Sequence, residues 1–361
     1  MTTDPLLPSL TDLGWDAGFA EAFAPFEAEG FEPARVAARH RTGYELLSPS
    51  GPSFGELSGR LHHLVHSAAA MPVVGDWVAA SGLTREGSAS IHDLLPRRTR
   101  FSRKVAGERS EEQVLAANLD RVFVVSGLDR EFNLRRLERF LVLAAAGGIE
   151  PVVVLNKADL AEDLPARLAE VAGIAPGVEL LLMSARTGEG VETLRAALPA
   201  GRTGALIGSS GVGKSTLINR LLGQERQPTG EVRASDGRGR HITSVRELLP
   251  IPGAGLLIDN PGLREVQLWA DVADLATPFV DVTELASGCR FRDCRHQTEP
   301  GCAVVAAVEE GRLEASRLES YRKLQKEISF QERRRDPILK DKEEKRIARL
   351  IKQYKKFPKQ T

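Results

Sequence analysis

Residues 208–215 have the residue types and spacing of a phosphate-binding loop. The segment reads GSSGVGKS, a complete match to G-x-x-x-x-G-K-[ST]. Its glycines let backbone N–H groups turn toward phosphate oxygens, Lys214 can reach the β- and γ-phosphates, and Ser215 offers a hydroxyl to Mg²⁺. An apolar run precedes the segment and a helical pattern follows it, which is the context that makes the motif specific. The residues expected to hold phosphate or Mg²⁺ are Gly208, Ser209, Ser210, Gly211, Val212, Gly213, Lys214, Ser215 and Thr216.

A second motif predicts that the bound base is guanine. Asn156, Lys157 and Asp159 follow an apolar run, at the edge where an open α/β sheet binds its ligands. The Asp159 carboxylate can accept from both N1–H and the 2-amino group of guanine, and adenine does not present that pair of donors. A buried carboxylate left unpaired by the wrong base is costly, so the motif predicts selection of GTP over ATP. Lys157 would lay its aliphatic stem over the ring, and Asn156 would brace the neighbouring loops.

The order of the motifs predicts a circularly permuted nucleotide-binding domain. Ser184 and Ala185 follow another apolar run, and this small-residue turn can offer backbone N–H to guanine O6. The base motif and this turn both precede the phosphate loop, whereas Ras-like chains place the phosphate loop first. Because residues 198–204 form a short link between neighbouring elements of one sheet, the ligand site can survive the permutation intact.

Further contacts to Mg²⁺ and to the γ-phosphate are expected after the phosphate loop. An apolar run ends at Asp259, and Gly262 completes a D-x-x-G motif. Asp259 would hold Mg²⁺ through water, and the Gly262 N–H would sense the γ-phosphate. Thr243, in a basic glycine-containing segment, is the expected direct Mg²⁺ ligand, and Ser235 and Ser244 compete with it for that role.

The residues for hydrolysis itself are less conventional. Leu263 stands where Ras-like enzymes place a water-orienting Gln, and an apolar side chain cannot orient water. We therefore expect slow intrinsic hydrolysis, a dependence on a partner, or a borrowed polar group. His241 is the nearest candidate, and a solvated loop histidine is the competing interpretation. The expected catalytic residues are His241, Lys214 and Thr243.

A compact group of cysteines and one histidine predicts a metal site near the carboxyl end. The spacing is C-x₄-C-x-H-x₅-C, and its members are Cys289, Cys294, His296 and Cys302. Three thiolates and one imidazole complete a tetrahedral zinc shell with no open position, so the zinc would be structural. Buried cysteines without a metal are the competing interpretation. Arg290, Arg292 and Arg295 lie between the ligands and would present positive charge to RNA phosphates.

The elements that must position these groups indicate a multidomain protein. Residues 1–108 contain short alternating strand patterns, which predict a small β-barrel. Residues 109–265 alternate apolar runs with helix-length segments, which predicts an α/β domain with a parallel sheet, here the circularly permuted P-loop GTPase domain. Residues 266–330 are assigned to a helical zinc-binding domain that ends in a long helical stretch from about residue 303 to 330. Residues 331–361 form a basic tail.

Composition limits the class of protein. The formal net charge is zero, but the segment 331–361 holds twelve Lys/Arg against five Asp/Glu, which indicates either contact with a polyanion or a solvated helix face. The amino-terminal residues lack a basic cluster ahead of an apolar run, and no apolar stretch is long enough to span a bilayer. We expect a cytoplasmic, monomeric protein that does not bind membranes.

Together these motifs resemble the ribosome small-subunit-dependent GTPase A family of bacteria, over nearly the whole chain. Segments 116–122 and 133–141, the phosphate loop and the zinc spacing are family-like. The resemblance implies an OB-fold at the amino end, conversion of GTP to GDP stimulated by the small ribosomal subunit, and a role in late assembly of that subunit on its rRNA. It also implies that His241 is the catalytic group.

Three positions depart from the family pattern, and three rival functions compete with it. Ile242 replaces a usual Thr, Asn260 a usual Ser or Thr, and Gly211 stands where potassium-activated GTPases have Asn. The first rival, an ATP-dependent small-molecule kinase, also uses a P-loop but does not need the guanine motif. The second is an RNA-binding assembly factor with incidental hydrolysis, and the third is a permuted GTPase of the large subunit.

Overall fold

The computed structural model describes residues 8–65, 67–84, 88–104, 112–224, 246–259 and 268–335. The chain forms two compact units. One combines Met1–Arg103 with Gln113–Gln267, and the other combines Lys104–Glu112 with Leu268–Thr361. The barrel and the α/β sheet predicted from the sequence therefore lie in the same unit.

The amino-terminal part is a five-stranded barrel. Its strands are β1 (Glu32–Arg39), β2 (Tyr44–Ser48), β3 (Gly51–Leu57), β4 (Trp77–Ser81) and β5 (Ser88–Leu94). They are ordered β1-β2-β3-β5-β4, and β4 pairs back onto β1, which closes the barrel. Only the β3–β5 pair is parallel. This is the OB-fold that the family resemblance implied.

Two helices accompany the barrel. Helix α1 (Ala17–Ala28) begins after Asp16, whose carboxylate accepts from the N–H groups of Gly18 and Phe19. Phe19 and Phe23 on this helix are buried with Trp77 of β4 in one apolar cluster. Helix α2 (Gly59–Leu64) follows β3 and is capped by the Ser58 hydroxyl.

The α/β part is a six-stranded extension of the same sheet. Its strands are β8 (Arg121–Gly127), β9 (Glu150–Asn156), β10 (Glu179–Leu182), β11 (Thr203–Gly208), β12 (Glu247–Pro250) and β13 (Leu256–Asp259). The order is β10-β9-β8-β11-β13-β12, with every pair parallel except β12–β13. The nearly continuous burial of β8, β9 and β11 is typical of parallel strands covered on both faces. The covering helices are α3 (Leu134–Gly147), α4 (Leu164–Ile174), α5 (Val191–Ala196) and α6 (Lys214–Leu222).

One strand pair connects these parts. Strands β6 (Arg100–Lys104) and β7 (Glu112–Ala117), which lie between β5 and β8 in the chain, form a separate two-stranded sheet. Ala38 of β1 is paired with Glu247 of β12, so barrel and α/β sheet form one continuous sheet of eleven strands.

The carboxyl-terminal unit is helical. It contains α7 (Val280–Ala286), α8 (Ala303–Glu309) and α9 (Ala315–Arg335). The helical stretch expected from about residue 303 to 330 consists of α8 and the larger part of α9, and the chain breaks between them where Gly311 adopts a left-handed φ of 73°. Phe279 and Tyr321 pack edge to face, at 5.4 Å between ring centroids. None of the described helices combines the length and apolar character needed to cross a bilayer.

Candidate nucleotide site and metal centre

The carboxyl ends of neighbouring parallel strands gather the sequence motifs at one edge of the sheet. Asn156 ends β9, Gly208 ends β11 and Asp259 ends β13, while Ser184 lies just beyond the end of β10. This is the edge at which open α/β sheets bind their ligands. The permuted order of the motifs along the chain is therefore compatible with one common site.

Asn156 ties the base motif to the other two loops. The side chain is 1% exposed. Its Nδ2 donates to the carbonyl of Val212 at 2.7 Å, and its Oδ1 accepts from the Ala185 N–H at 2.8 Å. One buried amide thus links the base motif, the phosphate loop and the Ser184-Ala185 turn, and both of its functional groups have partners.

Asp159 is held as an ionised acceptor beside that turn. The Ser184 hydroxyl donates to Oδ1 at 2.5 Å, and the Arg186 guanidinium lies 2.6 Å from Oδ2. The bond from Ser184, followed by the charge of Arg186, lowers the pKa of Asp159 below its ordinary value. The carboxylate is consequently charged at neutral pH, as needed to accept from the two N–H donors of guanine.

Lys157 occupies a left-handed backbone position directly after β9, with φ 63°. Its Nζ bonds to Oδ2 of Asp129 at 2.5 Å. Burial opposes ionisation of Asp129, but this bond, the N–H donated by Glu131 and the charge of Lys157 together outweigh it and lower the pKa of the carboxyl. The pairing fixes the course of the lysine stem next to Gly127, where an added Cβ would lie 3.4 Å from Lys157 Cδ. Asp129 was not foreseen from the sequence, although an acidic residue just beyond the end of strand β8 is a usable signal.

The phosphate loop needs glycine at specific positions. Gly208, Gly211 and Gly213 have φ of 150°, 77° and 98°. A Cβ on Gly208 would lie 2.3 Å from the Val125 carbonyl oxygen, and a Cβ on Gly213 would lie 2.3 Å from Asn156 Nδ2. Two of these glycines are therefore required by close backbone or side-chain approach as well as by conformation.

The start of helix α6 is left uncapped beside this loop. Gly213 is its N-cap and provides no side-chain acceptor, so the first N–H groups of α6 remain for a ligand. Lys214 Nζ donates to the carbonyls of Gly208 and Ser209, at 2.8 and 2.5 Å. Ser215 and Thr216 are half-buried in the first turn, and Ser210 is exposed. This arrangement gives an anion a set of backbone donors and one ammonium.

Arg136 is a second residue that the sequence motifs did not reveal. It lies on α3, and its guanidinium donates to the Ser209 hydroxyl at 2.7 Å. The helix is capped by Asn133, which accepts from the Arg136 N–H. Segment 133–141 was family-like in sequence, but nothing in the pattern indicated that this side chain reaches the phosphate loop.

Several expected residues fall outside the described part of the chain. These are His241, Thr243 and Gly262, together with Ser235, Ile242, Ser244, Asn260 and Leu263. Asp259 is described and half-buried at the end of β13, opposite Glu247 of β12 in the antiparallel register.

The four residues of the predicted zinc motif come together in the second unit. One ligand atom from each of Cys289, Cys294, His296 and Cys302 lies within 4.8 Å of all the others. His296 Nδ1 is 3.6 Å from Cys289 Sγ and 3.5 Å from Cys302 Sγ, and the two sulfurs are 3.9 Å apart. Tetrahedral zinc, with Zn–S of about 2.3 Å and Zn–N of about 2.0 Å, requires S···S of about 3.8 Å and S···N of about 3.5 Å. The group therefore fits zinc.

The surroundings of these ligands also suit a bound cation. Burial opposes ionisation of Cys289, but backbone N–H groups of Val304 and Ala303 point to its sulfur and lower the pKa of the thiol. Burial and the neighbouring sulfurs raise the pKa of Cys294 to about 11, so this thiol needs a cation beside it to ionise at neutral pH. Burial lowers the pKa of His296, which keeps the imidazole neutral as a metal ligand requires. Arg290, Arg292 and Arg295 are exposed around the cluster.

Comparison with known proteins supports the permuted GTPase that the motifs and the strand order indicate. Residues 94–269 match the family model described as RsgA GTPase. A protein of Opitutus terrae named small ribosomal subunit biogenesis GTPase RsgA is 51% identical over 340 residues, which cover 92% of this chain and 93% of that protein.

Two solved structures share the fold. YjeQ from Thermotoga maritima is 28% identical with a TM-score of 0.62, covering 82% of this chain and 98% of that one. YloQ, described as a circularly permuted GTPase, has a TM-score of 0.60 at 23% identity and covers 83% of this chain and 95% of that one, a likeness that shows the fold alone. With its motif order, its strand order and its curated relative, the chain belongs to the RsgA GTPase family and is a circularly permuted GTP hydrolase.

Proposed function

We propose that this GTPase acts in the biogenesis of the small ribosomal subunit and that the subunit stimulates its hydrolysis of GTP to GDP. The binding and hydrolysis of GTP are supported by the hydrogen bonds of Asn156, which hold the base motif against the phosphate loop. The ribosomal part is supported by the name of the Opitutus relative, which matches over almost the full length of both chains.

In this proposal, Asp159 reads guanine and Lys157 covers the ring. The backbone of the phosphate loop and Lys214 hold the phosphates. Ser215 and Thr243 bind Mg²⁺ directly, Asp259 binds it through water, and the Gly262 N–H contacts the γ-phosphate. Mg²⁺ would bridge and neutralise the β- and γ-phosphates.

Partner dependence follows from the absence of a Gln after the D-x-x-G motif. Leu263 cannot orient the attacking water, and His241 is the proposed replacement. A subunit that positions the segment carrying His241 would then raise turnover without supplying a group of its own. The proposal requires that His241→Ala lose stimulation while nucleotide affinity stays within about two-fold of wild type.

The remaining parts are assigned to RNA contact and to stability. The domains are proposed as 1–108, 109–265, 266–330 and the tail 331–361. Zinc held by the Cys/His cluster would fix the segment that displays Arg290, Arg292 and Arg295. The protein is proposed to work as a monomer in the cytoplasm, where its subunit partner is assembled.

Turnover measured alone and with each purified ribosomal subunit tests the proposal. Stimulation by the small subunit and not by the large one is the expected result. Stimulation by the large subunit alone would move the protein to the other class of permuted GTPase. If wild type binds and releases the subunit equally with GTP and with GDP, and Lys214→Ala does the same, a passive RNA-binding factor is favoured. ATP bound as tightly as GTP would favour a small-molecule kinase.

A further inference from the structure

A basic cavity lies where strand β1 of the barrel meets strand β12 of the α/β sheet. Its volume is about 330 Å³. Arg39, His40 and Arg41 line it from the end of β1, and Arg246 lines it from the residue before β12. The remaining lining residues are four aliphatic side chains and one glutamine, so none of the described lining residues carries a negative charge.

The arginines of this basic cavity have no counter-ion within the described residues. No ion pair involves Arg39, Arg41 or Arg246 there, and the buried Nε of Arg246 has no hydrogen-bond partner. The nearby carboxylate of Glu45 bonds to His40 Nε2 at 2.7 Å instead. A buried donor without a partner is unusual in a folded protein and indicates a missing acceptor.

Holding these charges together is unfavourable for the folded chain. Burial, with the positive charges of Arg103 and Arg39, lowers the pKa of Arg246 below its ordinary value. Arg39 and Arg41 are exposed at the rim, while Arg246 is half-buried inside. Unpaired like charges in a concave site are favourable only when an anion binds between them.

We propose that this basic cavity binds a backbone phosphate of RNA, with Arg246 as the inner contact and Arg39 and Arg41 at the rim. The inference rests on the proposed ribosomal function and deepens it by naming a contact. Guanidinium groups match phosphate oxygens in a planar fork. The loop between the first two strands of an OB-fold is a usual site for oligonucleotides, and Arg41 lies in that loop.

The position of Arg246 connects such a contact to the nucleotide site. The next residue, Glu247, pairs with Ala38 of the barrel and also lies opposite Asp259, the proposed Mg²⁺ contact. A phosphate held by Arg246 therefore acts on the strand beside Asp259. By linkage, RNA binding in the cavity and GTP binding alter each other's affinity by the same factor.

The test compares binding of purified small ribosomal subunits by four proteins over a range of KCl concentrations. They are wild type, Arg246→Gln, the double variant Arg39→Gln/Arg41→Gln, and the control Arg60→Gln. Arg60 is exposed on α2 of the same barrel, so its loss removes an equal charge away from the cavity. The cavity variants should bind the subunit about ten-fold more weakly than wild type. Their affinity should also fall less steeply with salt, the slope of log affinity against log salt being smaller in magnitude by about 1 for each arginine removed. Arg60→Gln should change affinity less than about two-fold.

Three results would overturn one proposal or the other. Cavity variants that bind like Arg60→Gln would overturn the cavity inference and leave the proposed function standing, whereas a wild type that does not bind the subunit would overturn the proposed function. A polyglutamate peptide that competes as well as a single-stranded RNA of equal charge would assign the cavity to an acidic protein and overturn the inference.

The melting temperature of each variant shows whether weaker binding comes from lost contacts or from unfolding. Because Arg246 is repelled and desolvated, Arg246→Gln should melt at the wild-type temperature or above it. If that variant unfolds, Arg246 is structural and the inner contact is overturned, and the exposed pair Arg39 and Arg41 still decides whether the rim binds RNA. Arg246→Lys, which keeps the charge, should recover part of the affinity.

Discussion

The side chain of Asn156 donates to the carbonyl of Val212 at 2.7 Å, across two segments that are 56 residues apart in the chain. The same side chain accepts from Ala185. The base motif and the phosphate loop are thereby held in one frame, since a shift of either loop breaks a buried hydrogen bond.

Asn156→Ala should weaken GDP binding by about ten- to one-hundred-fold. The change leaves the Val212 carbonyl and the Ala185 N–H without their partner, and a buried unsatisfied group costs about 1–3 kcal/mol. Calorimetric titration with GDP measures the effect. Asn118→Ala is the matched control, because Asn118 also bonds two backbone groups, those of Arg98 and Gly75, but lies outside the nucleotide motifs. Equal GDP affinity in both variants would contradict the bridging role.

Asp159→Asn should change base preference from guanine to xanthine. The amide of Asn donates where the carboxylate accepted, and xanthine has an oxygen in place of the 2-amino group. Titration with GDP and with xanthosine diphosphate should show GDP affinity falling by more than about one-hundred-fold. Retained GDP affinity would show that another group reads the base.

The pH dependence of GDP binding should follow the lowered pKa of Asp159. Ser184 and then Arg186 hold that pKa below the ordinary aspartate value, so the carboxylate is ionised at neutral and mildly acidic pH. Affinity should therefore stay level as pH falls toward the ordinary aspartate range, and decline only on passing through the lowered value. In Ser184→Ala the decline should begin at higher pH, because the largest stabilising bond is gone.

Gly213→Ala should impair nucleotide binding more than Gly211→Ala. Both residues have positive φ, so both substitutions introduce backbone strain of about 1–3 kcal/mol. Only at Gly213 does the new Cβ meet another group, Asn156 Nδ2 at 2.3 Å, whereas the space at Gly211 is open. GDP affinity of the two variants, compared at matched folded fraction, measures the difference. A weaker affinity in Gly211→Ala would contradict the steric account.

The Cys/His cluster should bind one zinc ion per chain and lose it in acid. The thiols must deprotonate to bind, so protons compete with zinc as pH falls, most strongly at Cys294 with its raised pKa. Metal analysis of the purified protein and release of zinc during acid titration test this. Cys302→Ser should lose zinc and lower the thermal stability of the carboxyl-terminal unit, while GDP affinity stays unchanged. Full thermal stability without metal would argue against a structural ion.

The fold was largely accessible from the sequence because its signals are local. Apolar runs alternating with amphipathic segments marked β8, β9, β11 and β13, and turn residues marked the short strands of the barrel. The break between α8 and α9 could not be placed from the sequence, because a single glycine in a helical pattern does not tell whether the helix continues. The pairing of β4 with β1 could not be predicted from local sequence patterns either, since it joins segments distant in the chain.

The motifs by themselves predicted the chemistry: a glycine loop with Lys214 for phosphate, Asp159 for guanine, and four ligands at zinc spacing. Their residue types and spacing carry that information without any coordinates. Only the tertiary structure showed that Asn156 links two loops, that Arg136 reaches Ser209, that Asp129 holds Lys157, and that Arg246 shares a cavity with Arg39. These contacts join residues that are far apart in the chain, and they depend on which strands lie side by side, a choice made by burial over the whole sheet and not by any local pattern.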